Sequence, residues 1–332
     1  MSEAFIIGSG TAVPEAIVSN EEIAERLGLT GEQIFKSSGI RRRRWATAAE
    51  TTSSLASGAL TQALADANLS GTDIDYLIFG TMTPDRFIPG SSPAVQKRLG
   101  LKEIPCLDIR AGCCNALYAL QVAKALVISG AAQNVAICLA EIQSRWLDLS
   151  PASGSLSMLF GDGAAALIVS EGVLRGALPA LKILDVQLAT DGGYVDDLGV
   201  RCPGTEFGVA GSAADYLPRM MGQSVILQAT RRITAACRAV LETNDITVSD
   251  LSWLVPHQAN ANLLAHVARN LNFTRPDGVI SLLEEFGNTS SASMGMALDL
   301  LRRSDRLQQD GYLLLPAFGT GFTWGAGLCR AV

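Results

Sequence analysis

The sequence predicts an internally duplicated α/β protein, and three features carry that expectation. Segments with helical and strand patterns alternate along the chain, as they do where sheets are covered by helices on both faces. A segment near residue 73 recurs near residue 250, an offset of 177. The same offset carries two further elements onto elements of their own kind. From the alternation we expect mostly parallel strands, and from the offset we expect halves of 1–172 and 173–332. With 332 residues, 48% apolar and 17% charged, the chain has ample material for a packed core.

In order, Ala4 to Pro14 reads as a strand entering a glycine turn. Gly8-Ser-Gly10 lacks the third glycine and the following helix of a dinucleotide fingerprint, so that reading fails. Ser19-Asn-Glu-Glu22 caps a short helix, and residues 50–67 form a helix rich in alanine and leucine. Thr72 to Gly80 is an acidic turn and a strand. Its echo, Ser249 to His257, repeats the order polar, Asp, aliphatic, polar, aromatic, Leu, aliphatic. From Cys106 a short strand bends at Gly112 and places Cys113 at the first turn of a helix. That helix reaches Gly130 with only Gln121, Lys124 and a few small polar groups, so it should be buried on nearly all sides. Position 113 maps to 290, inside the small-residue helix start Gly287 to Ala297. Val135, in the strand from Asn134 to Leu139, maps to 312, where Tyr312-Leu-Leu-Leu-Pro316 begins. Residues 141–160 form an excursion between two strands. Residues 186–215 are irregular and glycine-rich, with Asp191-Gly-Gly193, Cys202-Pro-Gly204 and Gly208-Val-Ala-Gly211. Both read as pocket walls.

A net charge of −6 and a pI near 5.1 argue against nucleic acid as a partner. The run Arg41 to Arg44 reads as a solvated loop that could meet an acidic carrier or a phosphate. Seven cysteines without metal-ligand spacing, and only two histidines, exclude a zinc site, so no metal is expected. No basic segment precedes the N-terminal apolar residues, and polar residues interrupt each long apolar stretch. The expectation is a reduced cytoplasmic protein with no membrane span.

Three side chains have both a structural and a chemical reading. Cys113 is either a buried packing residue or a nucleophile whose pKa the helix N-terminus lowers. His257 ends a strand ahead of a helix over 260–270. The other histidine, His266, lies within that amphipathic helix at a surface position. Asn288 is a helix N-cap, which leaves its second amide atom free to face a substrate. The segment Leu315 to Gly325 is a strand, a glycine hairpin and a second strand. It is either a plain turn or a backbone N–H donor to an oxyanion. Phe160-Gly-Asp-Gly163 is its counterpart in the first half.

Four motifs together resemble a β-ketoacyl-acyl-carrier-protein synthase III, in order and over essentially the whole chain. They are Cys113 in Asp108-Ile-Arg-Ala-Gly-Cys113, His257 in Val255-Pro-His-Gln-Ala-Asn260, Asn288 in Gly287-Asn-Thr-Ser-Ser-Ala-Ser293, and the closing Phe318-Gly-Thr-Gly-Phe-Thr-Trp-Gly325. Cys-His-Asn separates this branch from thiolases and from elongating synthases, which use a second histidine. The resemblance implies the thiolase fold, five-layered αβαβα, a homodimer, and acyl-coenzyme A or acyl-carrier-protein thioesters as substrates without a cofactor. Cys113 would take the acyl group, with backbone N–H groups of Cys113 and Thr320 as the oxyanion hole. His257 and Asn288 would hold the enolate left by malonyl decarboxylation. Cys114, about 100° further round the helix, is packing. Phe160 and Phe318 fall at the substrate pocket. Phe87 and Ile88 are read as reaching into a partner's pocket, and Arg269 and Arg41 as docking the acidic carrier.

The chain departs from the family pattern where coenzyme A is gripped. Gln33 and Ser37 stand where a tryptophan and an arginine are expected, Gly154 where a further arginine is expected, and Asn262 where a basic residue is expected. That leaves neither an adenine stack nor several phosphate contacts, so a carrier-borne or unusual acyl donor and a specialised pathway are expected. Acyl transfer to an alcohol or amine, non-decarboxylating head-to-head condensation and a silent binding partner are the alternatives.

Overall fold

The computed structural model describes residues 2–173, 178–206 and 211–332. The chain opens with β1 (Phe5–Ala12), β2 (Ile17–Ser19), α1 (Asn20–Ala24), α2 (Gly31–Ser38), β3 (Arg42–Arg44) and α3 (Thr52–Ala67). Next come β4 (Tyr76–Gly80), α4 (Ser92–Leu99), β5 (Cys106–Ile109), α5 (Asn115–Ile128), β6 (Asn134–Glu141), α6 (Gly154–Ser157) and β7 (Gly163–Ser170). The remainder is β8 (Leu181–Thr190), β9 (Leu198–Gly199), β10 (Arg219–Met220), α7 (Gly222–Thr243), β11 (Leu251–Leu254), α8 (Ala261–Leu271), α9 (Leu283–Phe286), α10 (Ser293–Arg303), β12 (Tyr312–Gly319) and β13 (Thr323–Ala331).

Local chemistry sets several of these boundaries. Ser19 and Glu22 close a capping box at α1. The recurring aspartates do the same work in each half. The Asp73 carboxylate accepts the Ser70 N–H and the Asp250 carboxylate accepts the Thr247 N–H, both at 2.8 Å, each closing a 3-10 turn before a strand. Gly8 and Gly10 have a packing reason. A Cβ at either would lie 2.4 Å from a carbonyl oxygen of α3, so this strand and helix approach closer than any side chain allows.

Nine strands join in the order β11-β12-β13-β8-β1-β7-β6-β4-β5. At the centre Phe5 pairs with Lys182, 177 residues apart, and outward from that pair the strand orders match on the two sides. The expectation of mostly parallel strands is corrected. Only β4–β5, β4–β6 and β11–β12 are parallel in this sheet, and the other neighbours are antiparallel. β12 returns directly into β13, and β6 reaches β7 through the 142–162 excursion without a helical crossover along the sheet, so both pairs reverse direction. The irregular segment also starts later than expected. β8 stays paired with β13 as far as Thr190, so the loop begins at Asp191. Positions 208–210 of the expected wall lie outside the described residues.

The alternation along the strands sorts the core into layers. In β6, Ala136, Cys138 and Ala140 face α3, while Val135, Ile137 and Leu139 face inward with residues of α5 and α10. The other side of those two helices meets Leu181, Ile183, Leu313 and Leu315. Leu251, Leu314, Ala326 and Leu328 pack outward against α7 and α8. The result is the expected five-layer αβαβα arrangement. No helix among the described residues is long and apolar enough to cross a membrane.

One ion pair ties α10 to α3 across the sheet. Arg302 Nη1 meets Asp66 Oδ2 at 2.5 Å with both side chains essentially inaccessible, and the guanidinium also donates to Ser9 Oγ and the Ile7 and Pro179 carbonyls. Removing one partner of such a pair strands a buried charge. Asp66→Ala is expected to cost roughly 3–5 kcal/mol, read as a lowered midpoint in chemical denaturation. Charge reversal of the exposed Arg330–Asp310 pair should leave that midpoint almost unmoved.

Candidate active site

Cys113 lies in a 3-10 turn, Gly112–Cys114, which leads directly into α5. Gly112 has φ +57°, and a Cβ there would sit 2.5 Å from Thr320 Oγ1, so only glycine fits against the hairpin between β12 and β13. That hairpin is pressed onto the turn. A Cβ at Gly319 would lie 2.8 Å from the Cys113 nitrogen, and the Thr323 hydroxyl donates to the Ala111 and Thr320 carbonyls at 3.2 Å each. Asn115 is fully buried and its Oδ1 accepts the Ala111 N–H at 2.7 Å. Cys114 points away, its thiol 3.4 Å from the Thr323 carbonyl within the core, in keeping with its reading as packing.

The Cys113 sulfur contacts Ser290 Oγ at 3.4 Å, across the offset of 177. The residue is half-buried and lines a channel. Burial pushes the thiol pKa up to about 11. The Ser290 contact opposes the rise, and the nearby Glu141 charge adds to it. The expected lowering by the helix N-terminus is therefore corrected, because desolvation in this site outweighs it.

His257 stands just past the end of β11, its backbone N–H bonded to the Pro316 carbonyl at 2.9 Å. Its Nδ1 is 2.7 Å from Ser293 Oγ, which also accepts the Gln258 N–H, and a backbone group of Ser290 makes a further hydrogen bond. Burial lowers the imidazole pKa to about 4, so the ring is neutral near pH 7. Asn288 is pinned through its backbone to Leu159 and Gly161, at 2.8 and 3.1 Å. Its Oδ1 caps the next turn by accepting the Ser290 N–H at 2.8 Å, and its Nδ2 keeps only a long 3.4 Å contact to the Ala259 carbonyl.

All three side chains line one apolar channel of about 450 Å³. One wall is the 141–160 excursion, through Leu156, Met158, Leu159 and Phe160. The other comes from β12 and α7, through Phe318, Ile226, Ala229 and Ile233. The α7 wall was not singled out in the sequence; the helix carries a strong apolar stripe, but nothing in the pattern tells a channel face from a core face. Ser293 and Ser290 were also missed as partners, although both lie in the segment around Asn288. Among the described residues, no Asp, Glu, Lys or Arg lines the channel or its mouth. Ser37, Asn260 and Asn262 line it, and both asparagine amides donate to the Ser37 carbonyl, at 3.0 and 2.9 Å. At Gly154 a Cβ would lie 2.8 Å from the Leu27 carbonyl. Gln33 closes the capping box of α2.

Other sequence-based expectations fare differently. Thr320 sits against the nucleophile turn and not in the channel lining. Phe87 and Ile88 are 62% and 78% exposed and stay out of this chain's channel. Arg269 is exposed near the end of α8. The Arg41–Arg44 run is not a solvated loop, because a strand edge alternates its side chains. Arg43 is fully buried and donates to Asn20 Oδ1 and the Met158 carbonyl. Arg41 and Arg42 form solvent-exposed pairs with Glu284 and Glu285.

The family model for 3-oxoacyl-[acyl-carrier-protein (ACP)] synthase III matches residues 107–192, and the model for its C-terminal part matches 241–331. A β-ketoacyl-[acyl-carrier-protein] synthase III of Bordetella petrii is 37% identical over 99% of this chain and 98% of its own. The crystal structure of 3-oxoacyl-(acyl carrier protein) synthase III from Pseudomonas aeruginosa PAO1 is 34% identical, with a TM-score of 0.88 over 99% of this chain and 98% of that one. The priming β-ketosynthase of the R1128 polyketide biosynthetic pathway is 31% identical, with a TM-score of 0.89 over 100% of this chain and 96% of that one. With the fold, the buried cysteine turn and these likenesses in agreement, the chain belongs to the β-ketoacyl-acyl-carrier-protein synthase III family of condensing acyltransferases.

Proposed function

We propose that Cys113 takes an acyl group from a thioester and that His257 and Asn288 then stabilise the enolate of a decarboxylating malonyl thioester. The observation that carries this reading is the meeting of the three side chains in one desolvated channel. Thiol–thioester exchange is nearly isoenergetic, so loading needs geometry and proton removal more than driving force. The tetrahedral oxyanion would take backbone N–H groups of Cys113 and Thr320, which the packed hairpin holds close together. In the second step the neutral imidazole, in the tautomer with its proton on Nε2 and Nδ1 accepting from Ser293, and the Asn288 Nδ2, held only by its long contact to the Ala259 carbonyl, would donate to the enolate oxygen. Attack of the enolate carbon on acyl-Cys113 then releases a β-ketoacyl thioester.

The donor we propose is carrier-borne or otherwise not held by a nucleotide clamp. The uncharged mouth supports this, as does Gly154, where the backbone contact leaves no room for an arginine. Arg269 remains the basic candidate for an acidic carrier. We further propose a homodimer, in which the exposed Phe87 and Ile88 enter the partner's channel, and a division of each chain into halves of 1–172 and 173–332.

Intact-protein and peptide mass spectrometry with a panel of acyl-coenzyme A and acyl-carrier thioesters tests the loading step. Acyl mass is expected on the Cys113 peptide and none on Cys113→Ala. Asn288→Ala and His257→Ala should still load, while malonyl-dependent carbon dioxide release falls by roughly 10²–10³-fold. Loading that resists a malonyl chase would count against condensation. Saturable priming by acetyl-coenzyme A at low concentration would sink the proposal on the donor.

The imidazole supplies a second test. A histidine whose folded pKa is depressed binds fewer protons folded than unfolded, so its contribution to stability is lost as pH falls from about 6.5 toward 4. In a ¹³C-histidine-labelled His266→Gln protein, the one remaining histidine signal should stay in its neutral form down to about pH 5. Titration near pH 6.5 would show that the ring is solvated and the site more open than described here.

A further inference from the structure

A buried acid stands behind the nucleophile and has no part in the chemistry derived so far. Glu141, the last residue of β6, has no solvent exposure. Its carboxylate accepts from Ser291 Oγ at 2.7 Å, Thr83 Oγ1 at 2.8 Å and the Met82 N–H at 3.1 Å. Thr81, Gln143 and Ser290 contribute longer contacts, each 3.4 Å. All these donors are neutral, and among the described residues no cation is bonded to it. A buried carboxylate without a counter-ion is costly to keep, so its place in the active site calls for a chemical reason.

Ser290 supplies the connection. Its Oγ lies 3.4 Å from Cys113 Sγ on one side and 3.4 Å from Glu141 Oε1 on the other. The residue is held at φ +49°, a conformation uncommon for serine, with its N–H locked onto Asn288 Oδ1. Resting on the assignment of Cys113 as the nucleophile, we propose that Glu141 is the proton acceptor for the Cys113 thiol, reached through the Ser290 hydroxyl.

The step balances within these three groups. The Cys113 S–H bond breaks as its proton joins Ser290 Oγ, and the Ser290 O–H bond breaks as its proton joins Glu141 Oε1. One negative charge moves from carboxylate to sulfur, and no new charge is created in the desolvated site. When condensation expels Cys113 as a thiolate, the same path run backwards restores the thiol. Burial raises both groups above their ordinary ranges, and a charged Glu141 raises the thiol further; the relay starts from the pair of thiol and carboxylate.

Other charged groups on the surrounding elements are engaged elsewhere. Asp66 of α3 pairs with Arg302, Lys124 of α5 donates to the Leu184 carbonyl, and Asp162 before β7 accepts from Ser144 and Ala46. Cys114 and Cys138 are thiols buried in the core, with pKa values pushed far up. His257 has no hydrogen bond to Cys113 among the described residues, its Nδ1 being held by Ser293.

The test is the pH dependence of iodoacetamide alkylation at Cys113, followed on the Cys113 peptide with no acyl donor present. The reactive form is a tautomer of the resting pair, so its population is independent of pH between the two titrations. The unmodified enzyme should therefore alkylate at a pH-independent rate from neutrality down to the titration of Glu141. In E141Q and in S290A the rate should instead fall about tenfold per pH unit, as for a thiol titrating alone. A purely electrostatic or structural Glu141 predicts the opposite sign, because loss of its charge makes the thiol more acidic. E141Q alkylating as fast as the parent at neutral pH, or a parent with no plateau, overturns the relay. If E141Q does not fold, S290A carries the test, since it leaves the other donors to Glu141 in place. If Cys113 fails to take up acyl groups, the condensing role is lost, yet the alkylation profile still decides the relay.

Discussion

The structure depends on one close approach, the meeting of two turns 177 residues apart in the chain. Gly112–Cys114 and Ser290–Ala292 each start a helix of the central layer, and they touch where Cys113 Sγ faces Ser290 Oγ. Such a contact requires α5 and α10 to lie side by side between two sheet faces with their N-termini together. Alanines and leucines, none of them β-branched, pack there, with Ala116, Ala119, Leu120 and Ala123 in α5 and Ala297, Leu298 and Leu301 in α10. The hairpin after β12 closes the third side. Everything else in the site takes its position from these three segments.

The same desolvation acts on every ionisable group there, and it acts in the direction of neutrality. It lifts the Cys113 thiol to about 11 and drops the His257 imidazole to about 4. An ion pair between the two would have been a different enzyme, with a standing charge on each ring and sulfur. Both shifts favour a neutral thiol and a neutral imidazole in the resting channel. Neutral donors aimed at a nascent enolate stabilise it without first being satisfied by a fixed counter-ion. Glu141 lies behind Cys113, on the far side of Ser290, and does not line the channel.

Much of this was legible in the sequence because the duplicated elements carry residues with local reasons to recur. Asp73 and Asp250 each close a turn before a strand, and both remain recognisable 177 residues apart. Cys113, His257 and Asn288 each follow a glycine or proline at the end of an element, which marked the positions but left both a structural and a chemical reading open. Strand direction was not legible, since a periodic apolar run looks the same whichever way its neighbour points. The buried Arg43 was hidden for a related reason. Four successive arginines look like a solvated face, and only the pairing of β3 with β2 turns one of them inward. Glu141 gave no local signal either, because its donors come from segments near residues 82 and 290 that only the fold assembles.

The channel mouth is where recognition of the acyl donor would be set in the reading proposed above. The catalytic turns are fixed by contacts deep in the fold, whereas the mouth is built from α2, α6 and α8, which meet through a few hydrogen bonds. Asn260 and Asn262 use their amides on the Ser37 carbonyl, so those polar groups are already engaged before any ligand arrives. At Gly154 the restriction is steric, because the Leu27 carbonyl occupies the space a side chain would need. A thioester entering here would meet apolar walls from Leu156, Ile226 and Phe318, and no cation lines the channel among the described residues. Selection at such an entrance rests on the fit of the acyl chain and its arm, and on whatever carrier surface holds them at the opening.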